Sequence, residues 1–223
     1  DYVLENSFVL RKGEVLGFSG LVGAGRTETM RAIFGADRLD SGEIYVKGEK
    51  VHIRTPKDAI KKKIAFLTED RKGQGLVLSL DVRTNLILAN MKGFSNGPFL
   101  NKGKIEKSGQ DNVESLRIKT PSLDEVTAQL SGGNQQKVVF SRALASGADI
   151  LLLNHPTRGV DVGAKEEIYA LIRDMTDEGK AVIVLGDTTD ECIGLCSRLL
   201  VMKDGLVTGE FDAPADHKPS QVD

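Results

Sequence analysis

The stretch Val15-Leu16-Gly17-Phe18-Ser19 runs directly into Gly20-Leu21-Val22-Gly23-Ala24-Gly25-Arg26-Thr27-Glu28. Its first five residues are a short apolar run, the pattern of a buried strand. From Thr27 to Phe34 the periodicity turns helical, with Met30, Ile33 and Phe34 at core spacing. A glycine-rich loop between strand and helix is the setting in which G-x-x-x-x-G-K-S/T cradles phosphates. Gly20 and Gly25 take the pattern's glycine positions and Thr27 its hydroxyl position. Glycines let backbone N–H groups close on phosphate oxygens, and the helix start adds its positive end. Arg26 stands where the pattern has lysine, and a planar guanidinium is bulkier than an ammonium on a slim stem. Two other readings share these residues. One is a plain tight turn. The other is a dinucleotide-binding turn, which wants G-x-G-x-x-G and an acidic residue after the second strand, and neither fits well. On the loop alone all three stay open.

Outward from this loop, strand-like and helix-like segments alternate, the order of an α/β fold with a parallel sheet. Ser41 to Gly48 reads as a turn, a strand and a second turn, hence an antiparallel hairpin. Ile64 to Leu67 is a buried strand candidate. The middle is less regular: Val82 to Met91 reads as helix, Lys92 to Lys104 as a surface loop rich in Gly, Asn and Ser, and Ile105 to Leu116 as helix again. That stretch suits a helical insertion better than more sheet. Ile150 to Leu153 and Ala181 to Leu185 are buried strands separated by a helix from Lys165 to Met175. Leu199 to Met202 followed by Lys203-Asp204-Gly205 closes with a hairpin. The tail from Ala213 is polar and expected to fray.

Composition narrows the function. The 223 residues suffice for one large α/β domain, and 40% hydrophobic with 28% charged residues is ordinary for a globular chain. A formal net charge of -2 argues against general binding to a phosphate backbone. Lys61-Lys62-Lys63 reads as a solvated helix end before it reads as a basic patch. No window approaches the ~20 apolar residues that span a bilayer, so any membrane role is peripheral. The first twelve residues lack the basic start and apolar run of a secretory signal. Cys192 and Cys196, four apart, read as small apolar residues on a buried helix face in a reducing compartment.

A second motif sharpens the first. Leu130-Ser131-Gly132-Gly133-Asn134-Gln135-Gln136-Lys137 resembles the signature motif of ABC ATPases, in the form found in sugar-type importers. Pro156 to Lys165 is similar to the segment from Walker B into the D-loop of that group. Gly20 to Glu28 resembles the degenerate Walker A of the second, C-terminal half of their tandem ATPase subunits. Glu69-Asp70-Arg71-Lys72 is like their Q-loop segment. The resemblance runs from about Phe8 to Phe211 in the family's order. Taken alone, Ser131 and its glycines would start a helix as an ordinary N-cap, and a helix start with exposed amides also suits a phosphate presented by a second domain.

The resemblance to ribose-, galactose- and xylose-type importers implies a P-loop ATPase fold with a RecA-like core, an antiparallel β-subdomain and an inserted helical subdomain. One domain over 1–223 is expected, the insertion covering about 76–140. It implies ATP and Mg²⁺ as cofactors, with Gly20, Gly23, Gly25, Arg26, Thr27 and Glu28 at the nucleotide and Thr27, Glu69 and Asn154 at a weakly held Mg²⁺. Ser131, Gly132, Gly133 and Gln135 would serve a partner domain's ATP. The implied partners are a second nucleotide-binding domain, the other half of a tandem subunit, and an integral-membrane permease. The implied place is the inner face of the cell membrane, with no nucleic acid.

Departures from the family mark the chain's own site. Where the family ends a strand in Asp-Glu, this chain has Asn154 and His155, an amide and an imidazole. Asp187 takes the place of the switch histidine, and a carboxylate facing a γ-phosphate would repel it. His155 and Asp187, at the catalytic positions, are therefore expected to be inactive. The aromatic that stacks adenine normally lies further upstream of the glycine loop than this chain extends, and Tyr2 is too close to that loop to replace it. The start just before the first core strand and the short tail fit a piece of a tandem subunit. A docking domain without catalysis, and an ABC protein acting on nucleic acid or ribosomes, are the competing readings.

Overall fold

A computed structural model describes residues 6–212. In chain order its elements are β1 (Val15–Ser19), α1 (Arg26–Phe34), β2 (Ile44–Val46), β3 (Glu49–Val51), α2 (Pro56–Lys61), β4 (Ile64–Leu67), α3 (Val82–Ile87), β5 (Ser95–Asn96), β6 (Phe99–Leu100), α4 (Lys102–Ser115), α5 (Gly132–Ala145), β7 (Ile150–Asn154), α6 (Val162–Asp177), β8 (Ala181–Leu185), α7 (Thr189–Leu195), β9 (Arg198–Lys203) and β10 (Leu206–Asp212). Two compact units divide them, one of residues 1–66, 149–156 and 172–223, the other of 67–148 and 157–171.

The first unit is built on a sheet in the order β10-β9-β1-β8-β7-β4. β1 runs parallel to both neighbours, β8 and β9, and β7 runs parallel to β8. β1, β8 and the Leu151–Asn154 part of β7 are fully buried, which explains why they read as unbroken apolar runs and not as alternating ones. Leu16, Phe18, Met30, Leu152, Ile183 and Leu200 form the centre of its core. Phe8 packs edge-on against Phe18, ring centres 5.2 Å apart. β2 and β3 pair as the expected hairpin, turning through Lys47 and Gly48, both at positive φ.

Under the sheet's edge a buried ion network replaces apolar packing. Arg198 and Glu14 are almost wholly enclosed, and Arg198 Nε donates to Glu14 Oε1 at 2.7 Å while Nη1 donates to Glu210. Burial would raise the Glu14 carboxyl, but the hydrogen bonds from Arg198 and the Arg11 amide outweigh it and hold Glu14 below its ordinary value.

The second unit is helical. Leu86, Ile87, Phe94 and Ile105 form a small core shared by α3, α4 and the segment between them. Asn85, fully buried, exchanges hydrogen bonds with both backbone groups of Val77 and donates to Thr127 Oγ1 at 3.0 Å. A satisfied buried amide of this kind fixes loops that apolar contacts alone would leave loose.

Two sequence expectations are adjusted. The helix expected to reach Met91 stops at Ile87 and tightens into a 3-10 segment over Leu88–Phe94, because Asn90 sits at φ -145, ψ 49. The expected loop of 92–104 holds the small β5–β6 hairpin about Gly97, and α4 starts at Lys102, where Asn101 caps it by accepting from Lys104 N. Lys61 closes α2 and all three lysines of that run are exposed. Tyr2 and the tail from Ala213 lie outside the described residues.

Candidate functional site: a glycine loop and a capped helix

The glycine loop is shaped by its backbone. Gly20 lies at φ 137, and a Cβ there would come within 2.2 Å of the Met202 carbonyl oxygen. Gly23 and Gly25 also hold positive φ, 85 and 92, which L side chains rarely adopt. Gly25 caps α1, and its carbonyl accepts from both Thr29 N and Thr29 Oγ1. The loop crest is open: Leu21 and Val22 are exposed, and nothing lies within 4 Å of a Cβ on Gly23. Arg26, Thr27 and Glu28 form the half-buried first turn of α1. Burial lowers the Arg26 guanidinium from its ordinary value, with Cys192 and Glu28 opposing. Positive-φ glycines ahead of a helix start form a concave cradle that suits phosphate oxygens.

Next to this loop in the same unit, two strand ends bring the expected departures together. β7 ends on Asn154, 1% exposed, whose Oδ1 is buried without a hydrogen-bond partner. His155 follows at φ 49, its N–H donating to Leu185 O at 2.9 Å. Asp187, just past β8, places Oδ1 2.9 Å from His155 Nδ1. The two groups are close without a hydrogen bond between them, and Nδ1 is buried. The turn carrying Asp187 is held by Glu191, which accepts from Asp187 N, and by the Cys192 thiol, 3.3 Å from Gly186 N. A Cβ on Gly186 would lie 2.8 Å from that sulfur. Cys192 and Cys196 are both buried, and a role for Cys192 in shaping this turn is not legible from residue spacing.

In the second unit, Ser131 caps α5, accepting from Asn134 N at 3.4 Å and from Asn134 Nδ2 at 2.9 Å. Gly132 and Gly133 are glycines for packing reasons too. A Cβ on Gly132 would stand 3.1 Å from Gly159 O, and one on Gly133 would stand 2.7 Å from Ala164 Cβ. Gln135 is buried and donates its amide to Thr127 O and Leu130 O, so it positions the segment leading into Ser131. Lys137, also buried, reaches Glu167 and the Arg117 carbonyl. Glu69 pairs with Arg158 on the segment that follows β7. Arg71, which the motif alone does not single out, has its guanidinium enclosed between α5 and residues 158–159.

A family model described as ABC transporter matches residues 4–158, from ahead of the glycine loop through the signature segment to the end of β7. The chain belongs to the ABC transporter family. Among curated relatives it is 49% identical over 211 residues to a Halalkalibacterium halodurans protein assigned as an import ATP-binding protein for ribose, galactose or methyl galactoside, covering 95% of this chain and 40% of that one. It is 46% identical over 203 residues to a ribose import ATP-binding protein of Bacillus cereus, covering 91% and 41%. The chain thus spans about two fifths of the length of these family members. Solved structures share the fold at lower identity. A nucleotide-free ATP-binding cassette superposes with a TM-score of 0.83 at 20% identity, covering 95% of this chain and 85% of that one. The dimeric cassette MJ0796 with ADP and Pi superposes with a TM-score of 0.80 at 23% identity, covering 95% and 90%. The fold is therefore the α/β fold of ATP-binding cassettes in this family. Among the described residues no helix is long and apolar enough to cross a membrane.

Proposed function

We propose that this chain is one nucleotide-binding domain of an importer for ribose, galactose or a similar small solute, and that it serves its partner's ATP site more than its own. In this reading residues 1–223 form one domain with about 76–140 as the helical insertion. Gly20, Gly23, Gly25, Arg26, Thr27 and Glu28 hold the phosphates of ATP. Ser131, Gly132 and Gly133, positioned by Gln135, close over ATP held by a second nucleotide-binding domain, the other half of a tandem subunit. The insertion and the Glu69–Leu76 segment meet an integral-membrane permease at its cytoplasmic face. The net charge of -2 speaks against a nucleic-acid role.

One observation carries the claim about its own site. The ends of β7 and β8 present an amide whose Oδ1 is buried and partnerless, and an imidazole drawn against Asp187. The cradle of positive-φ glycines fits a phosphate chain. The metal donors fit less well. Thr27 and Asn154 offer neutral oxygens, whereas Mg²⁺ holds best to carboxylates, and Glu69 is engaged by Arg158. Mg²⁺ is accordingly weakly held in this reading. His155 beside a carboxylate leaves the end of β7 without the carboxylate base that would take a proton from water. Loss of such a base is typically worth ~10²–10⁴ in rate.

Calorimetry of Mg-ATP on the chain, run beside ATP turnover of the chain alone and of the assembled pair, tests the reading. Binding with negligible turnover is expected of the isolated chain. Robust turnover that vanishes in His155→Ala would overturn it. Ser131→Arg should abolish turnover by the assembled pair; surviving activity would remove the signature from the partner's site.

A further inference from the structure

Arg71 is a buried cation with no anion. Its side chain is 9% exposed, yet among the described residues no carboxylate lies within ion-pair distance. Glu69, two positions earlier, gives its carboxylate to Arg158 instead. Nη1 donates to two neutral acceptors at long range, Gln136 Oε1 at 3.3 Å and the Arg158 carbonyl at 3.4 Å. Nε is buried without any acceptor. Burial alone moves this guanidinium below its ordinary value, with no opposing charge. An enclosed cation without a counter-charge is costly, and an anion brought near it would offset that cost.

The place where an anion would arrive is visible. Arg71 Nη2 is 3.3 Å from where a Cβ on Gly132 would stand and 3.9 Å from one on Gly159, so the guanidinium lies against the first turn of α5. That helix has 14 residues and starts at the Ser131 cap, so its positive end lies beside the enclosed charge. A larger residue at Gly132 would press into the guanidinium and into Gly159 O.

We propose that Arg71 adds its charge to the positive end of the signature helix: a positioning residue whose buried guanidinium strengthens α5's hold on the terminal phosphate of a nucleotide carried by the partner domain. The proposal rests on the reading that Ser131 and its glycines serve a partner's ATP. The charge acts through the α5 start and reaches only the phosphate that ADP lacks. Arg71 therefore discriminates ATP from ADP when the two domains close.

The test uses the full-length subunit reconstituted with its permease, with a fluorescence-energy-transfer pair reporting closure of the two domains. Arg71→Gln keeps donors for Gln136 and Arg158 O and removes the charge. It should raise the ATP concentration for half-maximal closure at least ~10-fold and leave ADP affinity within about twofold, since hydrogen bonds to charged groups are worth about a factor of ten or more. Arg71→Lys, which keeps the charge, should fall between. Wild-type closure in Arg71→Gln overturns the proposal, and so does an equal shift for ATP and ADP, the mark of a merely structural role. If Arg71→Gln does not fold, Arg71→Lys decides alone by the same split: an ATP-only shift supports the proposal and an equal shift or none defeats it. Ser131→Arg separates the two claims. If it closes normally, the partner-site reading itself fails; if it blocks closure while Arg71→Gln does not, only the role of Arg71 falls.

Discussion

His155 Nδ1 lies 2.9 Å from Asp187 Oδ1, so the residues that follow the ends of β7 and β8 face each other across adjacent strands. β7 and β8 are parallel neighbours with Asn154 level with Leu185, and each residue sits just past its strand. A substitution at one position is therefore felt at the other.

Restoring the carboxylates one strand at a time should fail. Asn154→Asp with His155→Glu sets a second carboxylate against Asp187 at close range, and like charges at that distance disfavour ionisation. The triple variant that adds Asp187→His removes the repulsion. ATP turnover of the chain should stay near background in the double variant and rise at least ~10-fold in the triple, a fraction of what a general base supplies. Equal turnover in both would show that the two strand ends do not communicate.

Gly20→Ala should damage the phosphate loop and the fold together. A methyl there meets the Met202 carbonyl at 2.2 Å and must hold φ 137. Strained backbone and overpacking each cost about 1–3 kcal/mol, so a loss of about 2 kcal/mol or more is expected in thermal or urea unfolding. Gly23→Ala meets no atoms within 4 Å and bears only the φ penalty, so it should lose less stability.

Arg198→Met should be among the most destabilising single changes in the first unit. It strands the buried Glu14 carboxylate and removes Glu210's partner, and breaking a buried pair in this way costs about 3–5 kcal/mol. The pH dependence follows from the direction of the Glu14 shift. Because the folded carboxyl is held below its unfolded value of 4.5, its contribution is full above that pH and is lost as pH falls through the lower folded value. Melting temperatures followed from neutral pH downward should show this acid limb in the wild type and a shallower one in Arg198→Met.

Ser131→Ala should separate a cap from a site. As an N-cap its loss costs about 1 kcal/mol of stability, and the long 3.4 Å bond to Asn134 N points to the lower end of the usual range. Circular dichroism of the isolated chain should register only that small change. A fall in assembled-pair turnover larger than the stability loss explains would place the hydroxyl at the partner's nucleotide.

Much of the fold was legible because it is locally encoded. The apolar run of β1, the glycines after it and the helical periodicity of α1 sit within twenty residues of one another. The closing hairpin was readable from Lys203-Asp204-Gly205, where Asp204 and Gly205 both take positive φ. The middle was less readable. α3 gives way after Ile87 to a 3-10 segment kinked at Asn90, and α4 begins early at Lys102 behind the Asn101 cap, so local backbone geometry and capping, not apolar spacing, set those boundaries. The motif positions were also legible, but the buried inward reach of Gln135 was not, since nothing in its neighbours' chemistry distinguishes a ligand contact from a bond to Leu130 O.

Residue order alone dictates that a strand, a glycine cradle and a helix follow one another, that a capped helix comes later, and that an amide and an imidazole stand at the end of β7. These depend on backbone sterics and short-range periodicity, which neighbouring residues dictate. What those groups face is set by how the strands and helices pack. Asp187 meets His155 because β8 runs beside β7, and Arg71 is sealed against α5 because the chain returns through Arg158 and Gly159 to enclose it. Contacts over such separations are set by strand order and packing, and the same residues in another topology would have stayed in water as ordinary charges.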